Sequence, residues 1–213
     1  CNIYLKKGQI ASIVGPNGAG KSTAMKAIFG LLPLFEGKVF FNNEEISNLK
    51  PQERVLKGMS FVPQTNNIFP SMTVEENLEM GGFIRKNGIK ETIEQVYELF
   101  PVLHEKKSQI AENLSGGQRQ QLAFGRALMT NPMFLMLDEP SAGVSPIIMD
   151  ELFNKVRDIS KKGVSILMVE QNAKQALKIS DIGFVLTQGK NKFIDSGKNL
   201  LLNPDVRESF LGG

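Results

Sequence analysis

The chain has 213 residues, 41% hydrophobic and 22% charged, which is enough to bury a sizeable core and excludes a disordered or fibrous class. Its 25 basic and 22 acidic residues leave a formal charge of only +3, which excludes the strongly basic pattern of a protein whose main partner is nucleic acid. One cysteine, Cys1, excludes an internal disulfide, one histidine excludes a zinc cluster, and together they favour a reducing, cytosolic setting.

No run approaches 18 consecutive apolar residues and no secretory signal pattern opens the chain, so work at a membrane would require docking through partners. The chain starts at Cys1 without an initiator methionine, and its first apolar run follows almost at once. A native N-terminal segment is therefore expected to precede it.

Short bounded apolar runs at Gln9–Val14, Lys38–Phe41, Phe134–Leu137 and Val164–Val169 read as strands, mostly buried. Helical patterns between some of them predict an α/β unit, a parallel sheet covered by helices on both faces. The first strand runs directly into Gly15, Pro16, Asn17, Gly18, Ala19, Gly20, Lys21, Ser22 and Thr23, which fits G-x-x-x-x-G-K-[ST], and an apolar-periodic helix (Ala24, Ala27, Ile28, Leu31) follows. Glycines there let backbone N–H groups close around phosphate oxygens, Lys21 reaches β- and γ-phosphates, and Ser22 offers a hydroxyl to Mg²⁺. The motif alone leaves kinases, GTPases and motors open.

Residues 65–131 are helical in pattern and poor in strands. Thr73-Val-Glu-Glu76 has capping-box spacing, and Ile93, Val96, Tyr97 and Phe100 recur at i, i+3, i+4 and i+7 before Pro101. Within this region Leu114-Ser115-Gly116-Gly117-Gln118 is the most specific sequence of the chain. Ser115 and Gln118 again have capping-box spacing, and the two glycines strip the first helical turn of side chains. It is either a helix start whose glycines admit a close-packed backbone or an anion site.

Farther on, Asp138 and Glu139 close the Phe134–Leu137 strand, at the end where ligands sit in open α/β sheets. They would hold Mg²⁺ and activate water respectively, or simply cap the next turn. Near the end, Phe184–Thr187 and Lys192–Asp195 flank a Gln188-Gly189 turn, predicting a hairpin.

With these motifs in this order the chain resembles the ABC ATPase family over all its length. The resemblance implies a P-loop NTPase (RecA-like) core at 1–64 and 132–213 carrying the helical subdomain at 65–131. It implies ATP and Mg²⁺ as ligands, with Ser22, Gln64 and Asp138 around the metal. Two such domains would pair head to tail, so that Ser115, Gly116, Gly117 and Gln118 act on the partner's ATP. Gln64 in Phe61-Val-Pro-Gln64 matches the Q-loop, and Ser141-Ala-Gly-Val144 the D-loop at the dimer interface.

The pattern departs after the Val164–Val169 strand. The family usually has a histidine where this chain has Gln171, whose amide can donate a hydrogen bond but carries no proton at neutral pH. Glu139 is therefore expected to be the base. His104 is expected to be an exposed or interface residue. The aromatic that stacks on adenine would precede Cys1, with Tyr4 reading better as a strand residue.

Val169-Glu-Gln-Asn172, Thr73-Val-Glu-Glu-Asn-Leu78, Met80-Gly-Gly-Phe83, Ser145-Pro-Ile-Ile148 and Phe210-Leu-Gly-Gly213 look like the ATP-binding subunits of branched-chain amino-acid importers, with urea and short-chain amide importers closely similar. That implies transmembrane permease subunits, a second, non-identical ATPase, indirectly a solute-binding protein, and a peripheral position on the cytoplasmic face of the membrane. Contact with the permease is expected along Thr65–Met72. The alternatives are a soluble ABC ATPase of DNA repair or translation, whose coiled coils, zinc modules and tandem domains this chain lacks, and a regulatory module that binds ATP without hydrolysis.

Overall fold

The structure is a computed structural model that describes residues 1–65 and 67–211, with the side chain of Leu211 left aside. Asn66, within the expected permease contact, and Gly212 and Gly213, within the terminal motif, lie outside the described residues.

Six strands form the main sheet in the order β4 (Met59–Val62), β5 (Phe134–Asp138), β6 (Ser165–Val169), β1 (Ile10–Val14), β7 (Ile182–Thr187) and β8 (Lys190–Asp195). The first five run parallel, and β8 turns back antiparallel on β7 as the predicted hairpin. Successive side chains of a strand point to opposite faces, so each buried strand feeds two cores. Leu135, Leu137, Ile166, Met168 and Val185 enter one. Phe134, Met136, Leu167, Val169, Phe184 and Leu186 enter the other.

The second core is closed by α1 (Lys21–Phe29) through Met25 and Phe29, together with Ile46 and Met59. The first is larger. It runs without a break from the sheet into α3 (Val74–Gly81), α4 (Ile89–Leu99) and α6 (Gly116–Leu128), burying Leu78, Ile93, Val96, Tyr97, Phe100, Leu122 and Phe124. On the same side α7 (Pro146–Lys161) and α8 (Ala173–Ile179) contribute Leu152, Phe153, Val156 and Ala176. Among the described residues no strand lies between β4 and β5.

Both capping boxes form as spaced. Thr73 Oγ1 accepts from Glu76 N–H at 3.2 Å, and Glu76 returns the bond from Thr73 N–H at 2.8 Å. Ser115 Oγ accepts from Gln118 N–H at 3.3 Å, and Gln118 Oε1 accepts from Ser115 N–H at 3.0 Å.

Two expectations need correction. The Lys38–Phe41 run is not a buried strand: only Phe40–Phe41 pair, antiparallel with Glu44–Glu45, and Phe40 is 59% exposed. Two residues on a two-stranded ribbon have one wet face, and apolar content alone does not reveal that. Tyr4 lies outside any strand, 60% exposed, with its ring edge-on to Phe184. Conversely β4, only four residues long, carried too short an apolar run to be recognised, yet it sits in full register with β5.

Candidate functional site

Four segments of the site hang from the carboxyl ends of parallel strands, where ligands bind in open α/β sheets. Gly15–Thr23 follows β1, Gln64 follows β4, Asp138 and Glu139 end β5, and Glu170–Gln171 follow β6.

The Gly15–Thr23 loop is shaped by glycines at two points. Gly15 has φ +146° and a Cβ there would meet the carbonyl oxygen of Leu186 at 2.2 Å, so no side chain fits. Gly20 enters α1 at φ +91° and brings no side-chain cap, and no acidic residue occupies the first turn. The opening N–H groups of α1 thus stay available to an anion, with the helix dipole behind them. Lys21 is 5% exposed and lies across the loop, its Nζ donating to Gly15 O at 2.9 Å and Pro16 O at 3.1 Å. An ammonium has three donors, so one remains for a phosphate oxygen.

At the foot of the loop Ser22 Oγ donates to Asp138 Oδ1 at 2.8 Å, with Asp138 only 3% exposed. These are hard oxygen donors of the kind Mg²⁺ takes alongside nucleotide phosphates and water. Glu139, next in the chain, turns with φ +50°, a left-handed conformation unusual for a residue with a Cβ. Its carboxylate is where the site converges: Gln64 Nε2 and Gln171 Nε2 both donate to Glu139 Oε2, at 2.7 and 2.9 Å. Each amide takes up one acceptor position of that carboxylate, and its other lone pairs stay free to accept a further hydrogen bond.

Ser115–Gln118 stands apart from this cluster, bonded to itself through its cap. Its two glycines serve different ends. A Cβ on buried Gly117 would meet Ile148 Cγ2 at 2.7 Å, so that glycine is required by packing on α7. Gly116 is exposed and its Cβ would meet nothing closer than Gly143 O at 3.7 Å, which leaves an open backbone surface at the helix start. His104 stays outside the site, exposed on α5 (Pro101–Glu105) with its ring 4.9 Å from that of Tyr97.

Sequence reasoning missed two buried ionisable side chains, Arg54 at the far end of α1 and Glu170 next to Gln171. Arg54 is 2% exposed and donates to the carbonyls of Leu49, Ser47, Ala27 and Ile28, closing the C-terminal end of α1, the helix into which the Gly15–Thr23 loop runs. Glu170 is 1% exposed and accepts from both the backbone N–H and the hydroxyl of Ser141. Burial pushes its carboxyl up from the ordinary range, against the pull of the Ser141 bonds, and the charge of Glu139 adds to the rise. No spacing rule points to either residue: Arg54 reaches Ala27 and Ile28, 27 and 26 residues away, as well as nearby Leu49 and Ser47, and Ser141 lies 29 residues from Glu170.

The ABC transporter family profile matches residues 1–142. The whole chain is 42% identical to the high-affinity branched-chain amino acid transport ATP-binding protein BraG of Pseudomonas aeruginosa, covering 91% of that protein. The chain belongs to the ABC transporter family. This ABC subunit also shares 42% identity over 98% of its length with the probable branched-chain amino acid transport ATP-binding protein LivF of Archaeoglobus fulgidus, covering 89% of it. The ABC fold is matched by an ATP-binding cassette of an ABC transporter in its ADP conformation, with TM-score 0.87 and 33% identity over 97% of this chain and 89% of that one. The ABC subunit is an ATPase that binds nucleotide, and among its described residues no helix is long and apolar enough to cross a membrane.

Proposed function

We propose that this ABC subunit powers the import of branched-chain amino acids, with Glu139 as the base that takes a proton from the water attacking the γ-phosphate. The convergence of Gln64 and Gln171 on one oxygen of Glu139 carries the reading. Those amides orient the carboxylate, and neither can itself accept the proton. The backbone of Gly15–Thr23 cradles the phosphates and Lys21 meets the β- and γ-oxygens. Ser22, Asp138 and Gln64 would hold Mg²⁺, which neutralises charge on the phosphates when bound.

Ser115, Gly116, Gly117 and Gln118 close on the ATP of a second subunit, and the exposed surface at Gly116 leaves room for that approach. The core at 1–64 and 132–213 and the helical unit at 65–131 then move as the two parts of a nucleotide-driven clamp. Between them a cleft of roughly 300 Å³ is lined by Phe61, Pro63, Asn67, Met80, Gly81 and Arg126, with Phe69, Met80 and Phe83 exposed nearby. Arg126 lies 4.3 Å over the Phe69 ring and donates to Asn67 O, so α6 is tied to the segment after Gln64. A permease subunit seated there would feel changes at Gln64 directly. The names of the relatives support branched-chain amino acids as cargo. A non-identical ATPase partner, a solute-binding protein and a peripheral place on the cytoplasmic face of the membrane complete the proposed assembly.

Glu139→Gln should lower ATP turnover by about 10³-fold while nucleotide still binds, because the amide keeps the shape and loses the basicity. Unchanged phosphate release by that variant would remove Glu139 from the base role. Uptake of labelled leucine, against urea and acetamide as competitors, by vesicles carrying the assembled transporter tests the cargo. Competition by urea alone would transfer the assignment to the amide importers.

A further inference from the structure

Among the described residues two acidic side chains are buried, Asp138 and Glu170, and only the first has a part in the chemistry given above. Glu170 has no cation within salt-bridge distance among those residues; its carboxylate accepts from Ser141, through the backbone N–H at 3.0 Å and the hydroxyl at 2.8 Å, with the backbone N–H of Gln171 beside it. A buried carboxylate without a counter-charge is costly. Its place must therefore be explained by what it holds.

What it holds is the turn that aims Glu139. Glu139 sits at φ +50°, a conformation that disfavours a side chain and must be imposed by surrounding contacts. Three consecutive residues at the end of β6 impose it. The Val169 carbonyl accepts from Glu139 N–H at 2.9 Å, Glu170 fixes Ser141, and Gln171 bonds the Glu139 carboxylate at 2.9 Å. Within the turn Ala142 N–H bonds back to Glu139 O at 3.0 Å, so a shift at Ser141 is passed to Glu139.

We propose that Glu170 is a positioning residue for hydrolysis, its two hydrogen bonds to Ser141 setting the turn that points the Glu139 carboxylate. The inference rests on the base role of Glu139 proposed above. What Glu170 supplies is acceptor geometry rather than charge. A glutamine there would accept from Ser141 N–H with its amide oxygen and donate to Ser141 Oγ with its NH₂, preserving both bonds.

The test is ATP turnover and nucleotide affinity of the full transporter carrying Glu170→Ala, Ser141→Ala, the double variant and Glu170→Gln, with Glu139→Gln as control. Glu170→Ala and Ser141→Ala should each lower kcat about tenfold with Kd for ATP unchanged, and the double variant should be no slower than the slower single one. Glu170→Gln should stay within about threefold of the parent. Full kcat per folded molecule in Glu170→Ala, multiplying losses in the double variant, or a Glu170→Gln as slow as Glu170→Ala would each overturn the proposal. If Glu170→Ala does not fold, Ser141→Ala and Glu170→Gln decide: a slowed Ser141→Ala beside a spared Glu170→Gln upholds it, and the opposite pair of results sinks it. Turnover retained by Glu139→Gln would instead remove the base assignment, while the double-variant cycle still reports whether Glu170 and Ser141 act as a unit.

Discussion

Burial at Glu170 disfavours the ionised carboxylate, and that bears on stability as well as on the turn it holds. Its folded-state pKa lies above its ordinary value of 4.5, chiefly through burial. For an acid shifted upward, the stabilising contribution is complete below the unfolded value and is lost as pH rises through the folded value. Glu170→Gln removes the titration, so its melting temperature should exceed that of the parent at neutral pH, and the gap should close as pH falls to about 4.5. Calorimetry at several pH values reads this directly; a gap that is flat with pH would mean the carboxylate stays in its ordinary range. The Gly15–Thr23 loop shows the same scale of control in steric form, since the space at Gly15 is taken by the Leu186 carbonyl.

At the level of elements, the chain uses one capping device twice for different ends. Thr73 starts α3, where Val74 and Leu78 are wholly buried, and Ser115 starts α6 beside exposed Gly116. Thr73→Ala should cost about 1 kcal/mol of stability and leave ATP turnover per folded molecule unaltered. Ser115→Ala should cost about the same in stability and, if the proposed pairing holds, also slow turnover of the paired subunits, because the cap it removes shapes the open helix start at Gly116. Denaturant titration beside phosphate release separates the two. Equal turnover in both variants would remove Ser115 from the chemistry. These helix starts were legible from four residues each, because a cap is made by neighbours in the chain. Strand β4 was not, since four residues of which Ser60 is polar carry little pattern, and only the ladder to β5 makes them a strand.

For the molecule as a whole, the helical region and the sheet share one apolar core. Phe124 on α6 is fully buried, meets Phe100 edge-on with ring centroids 6.3 Å apart, and belongs to the same cluster as Leu135 and Ile166 of the sheet. A rearrangement between the proposed units must therefore proceed as a small shift over a shared core. Phe124→Ala should cost about 3–5 kcal/mol, and the helical and sheet signals should melt together in a single lowered transition. Two separated transitions by near- and far-UV circular dichroism would show that the helical region folds on its own.

Taken alone, the sequence determined the glycine-rich loop between β1 and α1, the acidic pair at the end of β5, both helix caps, the closing hairpin and the parallel α/β class, because each is written in the order of near neighbours or in a period of two or 3.6 residues. It also marked Gln171 as a departure from the family pattern. Only the tertiary structure decided what those residues do to one another. The amides on Glu139 come from 75 residues before it and 32 after, and Ser141 and Glu170 are 29 residues apart. It also separated the two glycines of the signature, giving Gly117 to packing against Ile148 and leaving Gly116 open. Local patterns fix the backbone conformation of a segment, whereas a hydrogen bond or a close packing contact between distant segments exists only after the sheet has set the register that brings them within 3 Å.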